Sequence, residues 1–241
     1  MNTQVVNAFV DALLSVKPDA PTACAGWSVH ELTAHLAAGS AEIADVVDGE
    51  LEGGPSRPTR DFEERESPYR ALAPEVVREA FFREALRAAA ATERLAEAGA
   101  QVWFTGVRLD AATLVAHIES ELVLHRWDLV GSDDLGVDLL SDPRLGDHAV
   151  NTVTGMRPNV FPARSGPHRT ILLRACGARD VAVTGGAVTS VTLAGERGDY
   201  PAVVCHPAAR TLLLWGRRPE GLPAPVGDPD TVAALVGMLC P

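Results

Sequence analysis

Aromatic residues are scarce, at 5% of 241 positions, and Lys17 is the only lysine. Basic residues number 21 against 32 acidic ones, for a formal charge of −11. So acidic a chain lacks the broad basic face of a general nucleic-acid binder. No apolar run reaches the ~18 residues of a membrane span. The start, MNTQVVNAFVDALL, has neither a basic n-region nor a small-residue cleavage site, and reads as an amphipathic helix rather than a signal peptide. Four cysteines, at positions 24, 176, 205 and 240, form no CxxC and no close cluster, which points to reduced thiols and a cytoplasmic protein. What remains is ordinary globular composition, 46% hydrophobic and 22% charged, which excludes wholesale disorder. The length suits one large domain or two small ones.

The first half has helical periodicity. Val6, Phe9, Val10, Leu13 and Leu14 make one apolar stripe, stopped by Pro18. Ser28 and Glu31 form a capping-box pattern, with Trp27 and Leu32 placed for a hydrophobic staple, so a second helix is predicted from Val29 to about Asp48. Residues 49–68 are polar and broken by Gly and Pro, and read as a long loop. The acidic residues Glu42, Asp45, Asp48, Glu50 and Glu52 read as a solvated helix end. Pro74 opens a third helix that Gly99 closes, and a fourth runs from about Ala111 to Val130. Four such helices predict an antiparallel bundle.

A fifth helix is expected over 143–156. Short β-branched stretches at 170–174, 181–183, 188–193 and 202–205 then predict strands, followed by helices over 207–217 and from 228. The expected fold class is therefore α+β. A helical domain over 1–158 precedes a small α+β domain over 159–241, the boundary falling near 157–165.

The fourth helix holds the informative pattern, LVAHIESELVLHRWDLV over 114–130. At about 100° per residue, His117, Glu121, His125 and Asp128 fall within roughly 80° of one another. Glu119 and Arg126 lie on the opposite side. One polar set is expected to face solvent and the other to face inward. Apolar Leu114, Ile118 and Leu124 border the histidine stripe, which places that stripe inside. Buried ionisable groups need partners or a metal. His117 and His125 are about 12 Å apart along the axis, too far to share an ion. Either His117 with Glu121, or Glu121 with His125, can do so. His35, one turn beyond Leu32 on the capped helix, is the best third donor. A His–Glu–His set leaves a coordination position open, as catalytic sites do.

PTACAGWSVHELTAHLAAG (21–39), SELVLHRWDLV (120–130), FEERESPYRAL (62–72), and ARTLLLWGRRPEG (209–221) followed by VGDPDTVAAL (226–235) occur in the order and spacing of one family. In these segments the chain resembles the mycothiol-dependent maleylpyruvate isomerase family, part of the DinB-like superfamily of metal-binding bundles. The resemblance covers nearly the whole chain. It implies a DinB-like antiparallel four-helix bundle followed by a small, sterol-carrier-protein-like α+β domain. It implies a divalent metal, zinc by family habit, on His35, Glu121 and His125, and so selects Glu121 with His125 over His117 with Glu121. It also assigns Arg217 to the site entrance, for substrate or thiol binding. Ala25 stands where the family more often has proline, and the strand region 181–204 matches only loosely.

The resemblance implies an enzyme that uses mycothiol as thiol cosubstrate. It would add a metal-activated thiolate to a small electrophilic, acidic substrate, as a cis–trans isomerase or an S-transferase. A metal-dependent hydrolase using water, and a non-catalytic ligand-binding protein, are the other readings of the same fold. The expected partners are that substrate and the thiol, with neither nucleic acid nor membrane, in a monomer or weak homodimer. Asp128 is a candidate to orient a ligand histidine. Cys24, just before the capped helix, carries no visible sign of activation.

Overall fold

Side-chain caps start most of the helices. Asn2, Ser28, Asp61, Asp133, Asp142, His206 and Asp228 each accept a hydrogen bond from a backbone N–H of the helix they precede. The computed structural model describes residues 1–54, 58–156, 168–186, 189–194 and 199–240. These fall into two compact units, Met1–Val130 and Gly131–Pro241.

The first unit is the expected DinB-like four-helix bundle, built from α1 (Thr3–Ser15), α2 (Val29–Leu51), α4 (Pro74–Ala98) and α5 (Ala111–Val130). Helix α2 packs along α4, and α1 along α5. Phe9, Leu13, Leu32, Leu95 and Leu114 are fully buried between them. The capping box at Ser28 is present in both directions: Ser28 Oγ accepts from the Glu31 N–H, and Glu31 Oε2 accepts from the Ser28 N–H at 2.7 Å.

Two elements in this unit were not expected. Helix α3 (Phe62–Arg70) begins inside the predicted loop and runs two residues past its end; residues 55–57 of that loop are outside the described residues. Its sequence FEERESPYR has no apolar stripe, so periodicity could not find it. The N-cap Asp61, which accepts from Glu64 N–H at 2.8 Å, was the available signal. The hairpin β1 (Gln101–Phe104) and β2 (Val107–Asp110) turns on Thr105 and Gly106, both with positive φ, which matches the right-handed twist of the strands.

Two polar stretches behave differently from the sequence expectation. Glu119 and Arg126 do not face solvent: they are 1% and 7% exposed. Helix α5 has α1 on one side and α2 and α4 on the other, so both of its polar stripes are covered. Glu119 accepts from the Asn2 backbone N–H at 2.5 Å. The acidic end of α2 is likewise no simple solvated face. Glu42 is fully buried and accepts from Arg60 Nε at 2.6 Å and from the Arg60 backbone N–H at 3.0 Å. Arg60 also pairs with Asp45, while Arg87 bridges Asp45 and Asp48, and Arg94 pairs with Asp48.

The second unit contains α6 (Asp134–Leu140), α7 (Pro143–Asn151) ending in a π-helical turn (Thr152–Met156), strands β3 (Arg169–Ala175), β4 (Val181–Gly185), β5 (Ser190–Leu193) and β6 (Ala202–Cys205), then α8 (Pro207–Leu214) and α9 (Pro229–Leu239). The sheet order is β5-β4-β3-β6, antiparallel except for the β3–β6 pair. Ile171, Leu173, Val181, Val183 and Val203 face a core shared with Leu213, Leu235 and Leu239. Helices α6 and α7 pack on α8, and Thr211 Oγ1 donates to the Leu140 carbonyl at 3.0 Å. They therefore belong to this unit, so the division comes at 130/131 rather than at the predicted 158/159. The predicted boundary stretch 157–165, and position 188 of the predicted third strand, lie outside the described residues. Helix α8 ends at Leu214, so Arg217 follows the helix instead of closing it. Among the described residues, no helix is long and apolar enough to cross a membrane.

Ser28→Ala removes an acceptor that the first turn of α2 uses. It should lower stability by about 1 kcal/mol, read as a lower denaturant midpoint at unchanged slope. An unchanged midpoint would show that the cap contributes nothing measurable.

Candidate metal centre

Helix α5 presents Glu121 and His125 one turn apart, and α2 presents His35 opposite them. His35 Nε2 lies 3.2 Å from Glu121 Oε2, and His125 Nε2 lies 3.4 Å from the same oxygen. The donor atoms of the three residues are all within 4.8 Å of one another. Two imidazole nitrogens and one carboxylate oxygen form a donor set suited to a zinc-class divalent cation, with room in the coordination sphere for a further ligand.

Each histidine is held from behind. His35 Nδ1 is 2.7 Å from Glu66 Oε1, and His125 Nδ1 is 2.8 Å from Asp128 Oδ2. Both carboxylates are buried. A carboxylate at Nδ1 keeps the proton there in the neutral ring and leaves the Nε2 lone pair facing the shared point. Trp27, expected as a hydrophobic staple, lies with its ring centroid 5.1 Å from that of His35 and 6.4 Å from that of His125. Phe62 stacks on His35 at 5.9 Å. The segment around Cys24 is also drawn in: Cys24 Sγ donates to Asp128 Oδ2 at 3.1 Å, and Ala23 N–H donates to the Asp128 carbonyl at 2.9 Å.

The electrostatics follow from these contacts. Burial works against the charge on Glu121, yet hydrogen bonds from His125 and His35, with the positive charge of neighbouring histidines, hold its carboxyl well below the usual carboxylate range. Burial also opposes the imidazolium of His125, but Asp128, Cys24 and Glu121 outweigh it and raise its pKa well above the ordinary histidine value.

Of the sequence-predicted residues, His35, Glu121 and His125 are brought together. Asp128 contacts His125 as expected of an orienting group. His117 belongs to no donor group among the described residues, and its ring packs on Phe104 with centroids 5.4 Å apart. Arg217 belongs to the second unit, where its Nη1 donates to the Trp215 carbonyl at 2.8 Å. Sequence reasoning missed Glu66, because it passed over α3.

Residues 3–130, just over half of the chain, match the family model described as the mycothiol maleylpyruvate isomerase N-terminal domain. The chain belongs to this family. Two solved structures of the mycothiol-dependent maleylpyruvate isomerase, one of them a histidine-to-alanine mutant, are similar to it with a TM-score of 0.62. They are 16% and 14% identical to it, and each comparison covers 90% of this chain and 87% of the other. At that identity the likeness is one of fold, and it extends the family's architecture beyond the bundle into the second unit. No curated protein matches the sequence.

Two outcomes are expected of a cation at this centre. Glu66→Gln and Asp128→Asn should each weaken binding about 10–100-fold in chelator competition while leaving helix content unchanged. Equal affinity in both variants would show that the Nδ1 contacts do not orient the ligands. Binding should also weaken as pH falls. Below its raised pKa, His125 carries a proton on each ring nitrogen, and a cation must expel the one on Nε2. The cation-free protein shows the opposite dependence for this group: the stability contributed by His125 is full below the ordinary histidine pKa and is lost as pH rises through the raised one. An affinity indifferent to pH between about 6 and 8 would contradict this assignment of the proton.

Proposed function

We propose that the chain is a metal-dependent, mycothiol-using enzyme that adds the thiol sulfur to a small electrophilic, acidic substrate. The observation that carries the reading is the convergence of His35, Glu121 and His125 on one point, in a chain of this family. A divalent cation held there, of the zinc class, would lower the pKa of a bound thiol so that it reacts as thiolate near neutral pH.

The side chains set up the rest. Two neutral imidazoles and one carboxylate would leave one net positive charge on a divalent cation held there, which would favour an anionic sulfur nearby. Glu66 and Asp128 keep the two rings turned so that both Nε2 atoms point at the same place. The Trp27 ring lies beside both imidazoles. Arg217 is assigned to the substrate: a guanidinium fork matches a carboxylate in plane, and an acidic electrophile must be aligned before the sulfur attacks. Sulfur addition to a conjugated carbon turns the double bond into a single bond and moves its electron pair onto the conjugated carbonyl as an enolate. Rotation about that single bond and departure of the sulfur give cis–trans isomerisation. Uptake by the enolate of the proton the thiol released, with the new C–S bond kept, gives S-transfer.

Metal analysis of the purified protein and of His35→Ala tests the centre. One divalent ion per chain is expected in the wild type and a clear loss in the variant. Full occupancy of His35→Ala would reopen the pairing of His117 with Glu121. Turnover of maleylpyruvate with and without mycothiol tests the reaction class, since thiol-independent turnover would mean that water is the nucleophile. Arg217→Lys keeps the charge and loses the planar fork, so it should impair turnover at normal metal content. Wild-type kinetics in Arg217→Ala would remove this residue from the mechanism.

A further inference from the structure

His125 is shared by two groups of donors. On its Nε2 side are Glu121 and His35. On its Nδ1 side are Asp128 and Cys24, and the sulfur, nitrogen and carboxylate oxygen of that second group also lie within 4.8 Å of one another. Cys24 Sγ is 3.1 Å and His125 Nδ1 is 2.8 Å from the same oxygen, Asp128 Oδ2. The sulfur is held by a fixed turn. Cys24 N–H donates to Thr22 Oγ1 at 3.2 Å, its carbonyl accepts from Trp27 N–H at 3.0 Å, and Ala23 N–H ties the turn to the Asp128 carbonyl. Cys24 is half-buried, while His125 and Asp128 are buried, so the cysteine is the most accessible residue of the three.

We infer that Cys24, His125 Nδ1 and Asp128 form a separate site for a thiophilic cation, one that competes with the His35–Glu121–His125 centre. Donor chemistry separates the two. A thiolate selects soft cations, which the imidazole and carboxylate donors of the first group do not. Charge favours the second group as well: thiolate plus carboxylate neutralise a divalent ion, whereas Glu121 alone leaves one positive charge. Binding forms S–metal, N–metal and O–metal bonds, releases the Cys24 thiol proton to solvent, and leaves the one ring proton of neutral His125 on Nε2 in place of Nδ1. A neutral imidazole has one ring lone pair. His125 therefore serves one group or the other, and a soft ion at Cys24 turns the histidine's remaining N–H toward Glu121.

Cadmium alone is the probe. In the full-length chain carrying Cys176→Ser, which removes the exposed thiol of the second unit, Cd2+ should give a thiolate-to-cadmium charge-transfer band. Cys24→Ser should abolish the band, and Asp128→Asn should weaken binding about tenfold or more. His35→Ala should keep the band, because His35 takes no part in this group. Zinc bound beforehand should be released as the band grows. A band that survives Cys24→Ser overturns the assignment, and so does one lost in His35→Ala. Cadmium bound together with undisplaced zinc overturns the competition. If His35→Ala keeps full zinc occupancy while Cys24→Ser loses the cadmium band, the proposed catalytic centre fails and the Cys24 site stands.

Discussion

A carboxylate inside a helical bundle is tolerated only where its partners are themselves held. Glu121 meets that condition through two imidazoles, and each imidazole meets it through a carboxylate on its far nitrogen. The resulting chain Glu66–His35–Glu121–His125–Asp128 crosses three helices, α3, α2 and α5, in a single run of hydrogen-bonded charge. Removing one member of such a buried set costs about 3–5 kcal/mol when its neighbour is left unpaired. The chain thus constrains how α2, α3 and α5 meet.

The same arrangement would suit the centre both with and without a cation. With His125 protonated and Glu121 ionised, the pair satisfies itself electrostatically. A divalent cation held there would replace the one proton on His125 Nε2 with two positive charges, so neither state leaves a bare buried anion. Glu119, also buried on α5, obeys the same rule by other means: it accepts from the Asn2 N–H at the start of α1. Helix α5 is therefore a central element with polar groups on two covered sides, which explains why a single amphipathic stripe does not describe it.

That explains much of what was legible in the sequence and what was not. The long helices were readable because Ser28, Pro74 and Gly99 punctuate them and their apolar residues repeat at helical spacing. His35, Glu121 and His125 were readable as a set because i,i+4 spacing leaves few choices on α5, and the family pattern removed the last one. Glu66 was hidden because α3 has no apolar face and contains Pro68. The ion-pair partners of Glu42 and Asp45 were hidden because they are distant in sequence: Arg60 reaches α2 from the connection before α3, and Arg87 from α4. The compact units divide at 130/131 and not at the expected boundary because the helix expected over 143–156 read as more bundle, whereas α6, which was not anticipated, and α7 pack on α8 in the second unit.

Arg60 stands one residue before the N-cap of α3 and is clamped to Glu42 and Asp45 on α2. That clamp fixes where the chain rejoins the bundle, whatever path it takes after the end of α2. Glu66 sits about a turn and a half further on, so its position relative to His35 is measured from Arg60 and not from the end of α2. The connection before Arg60 can consequently change in length or composition during divergence without disturbing the support of the donor histidine. The protein thereby separates a stretch open to variation from the carboxylate that steadies its centre, with a single arginine as the partition.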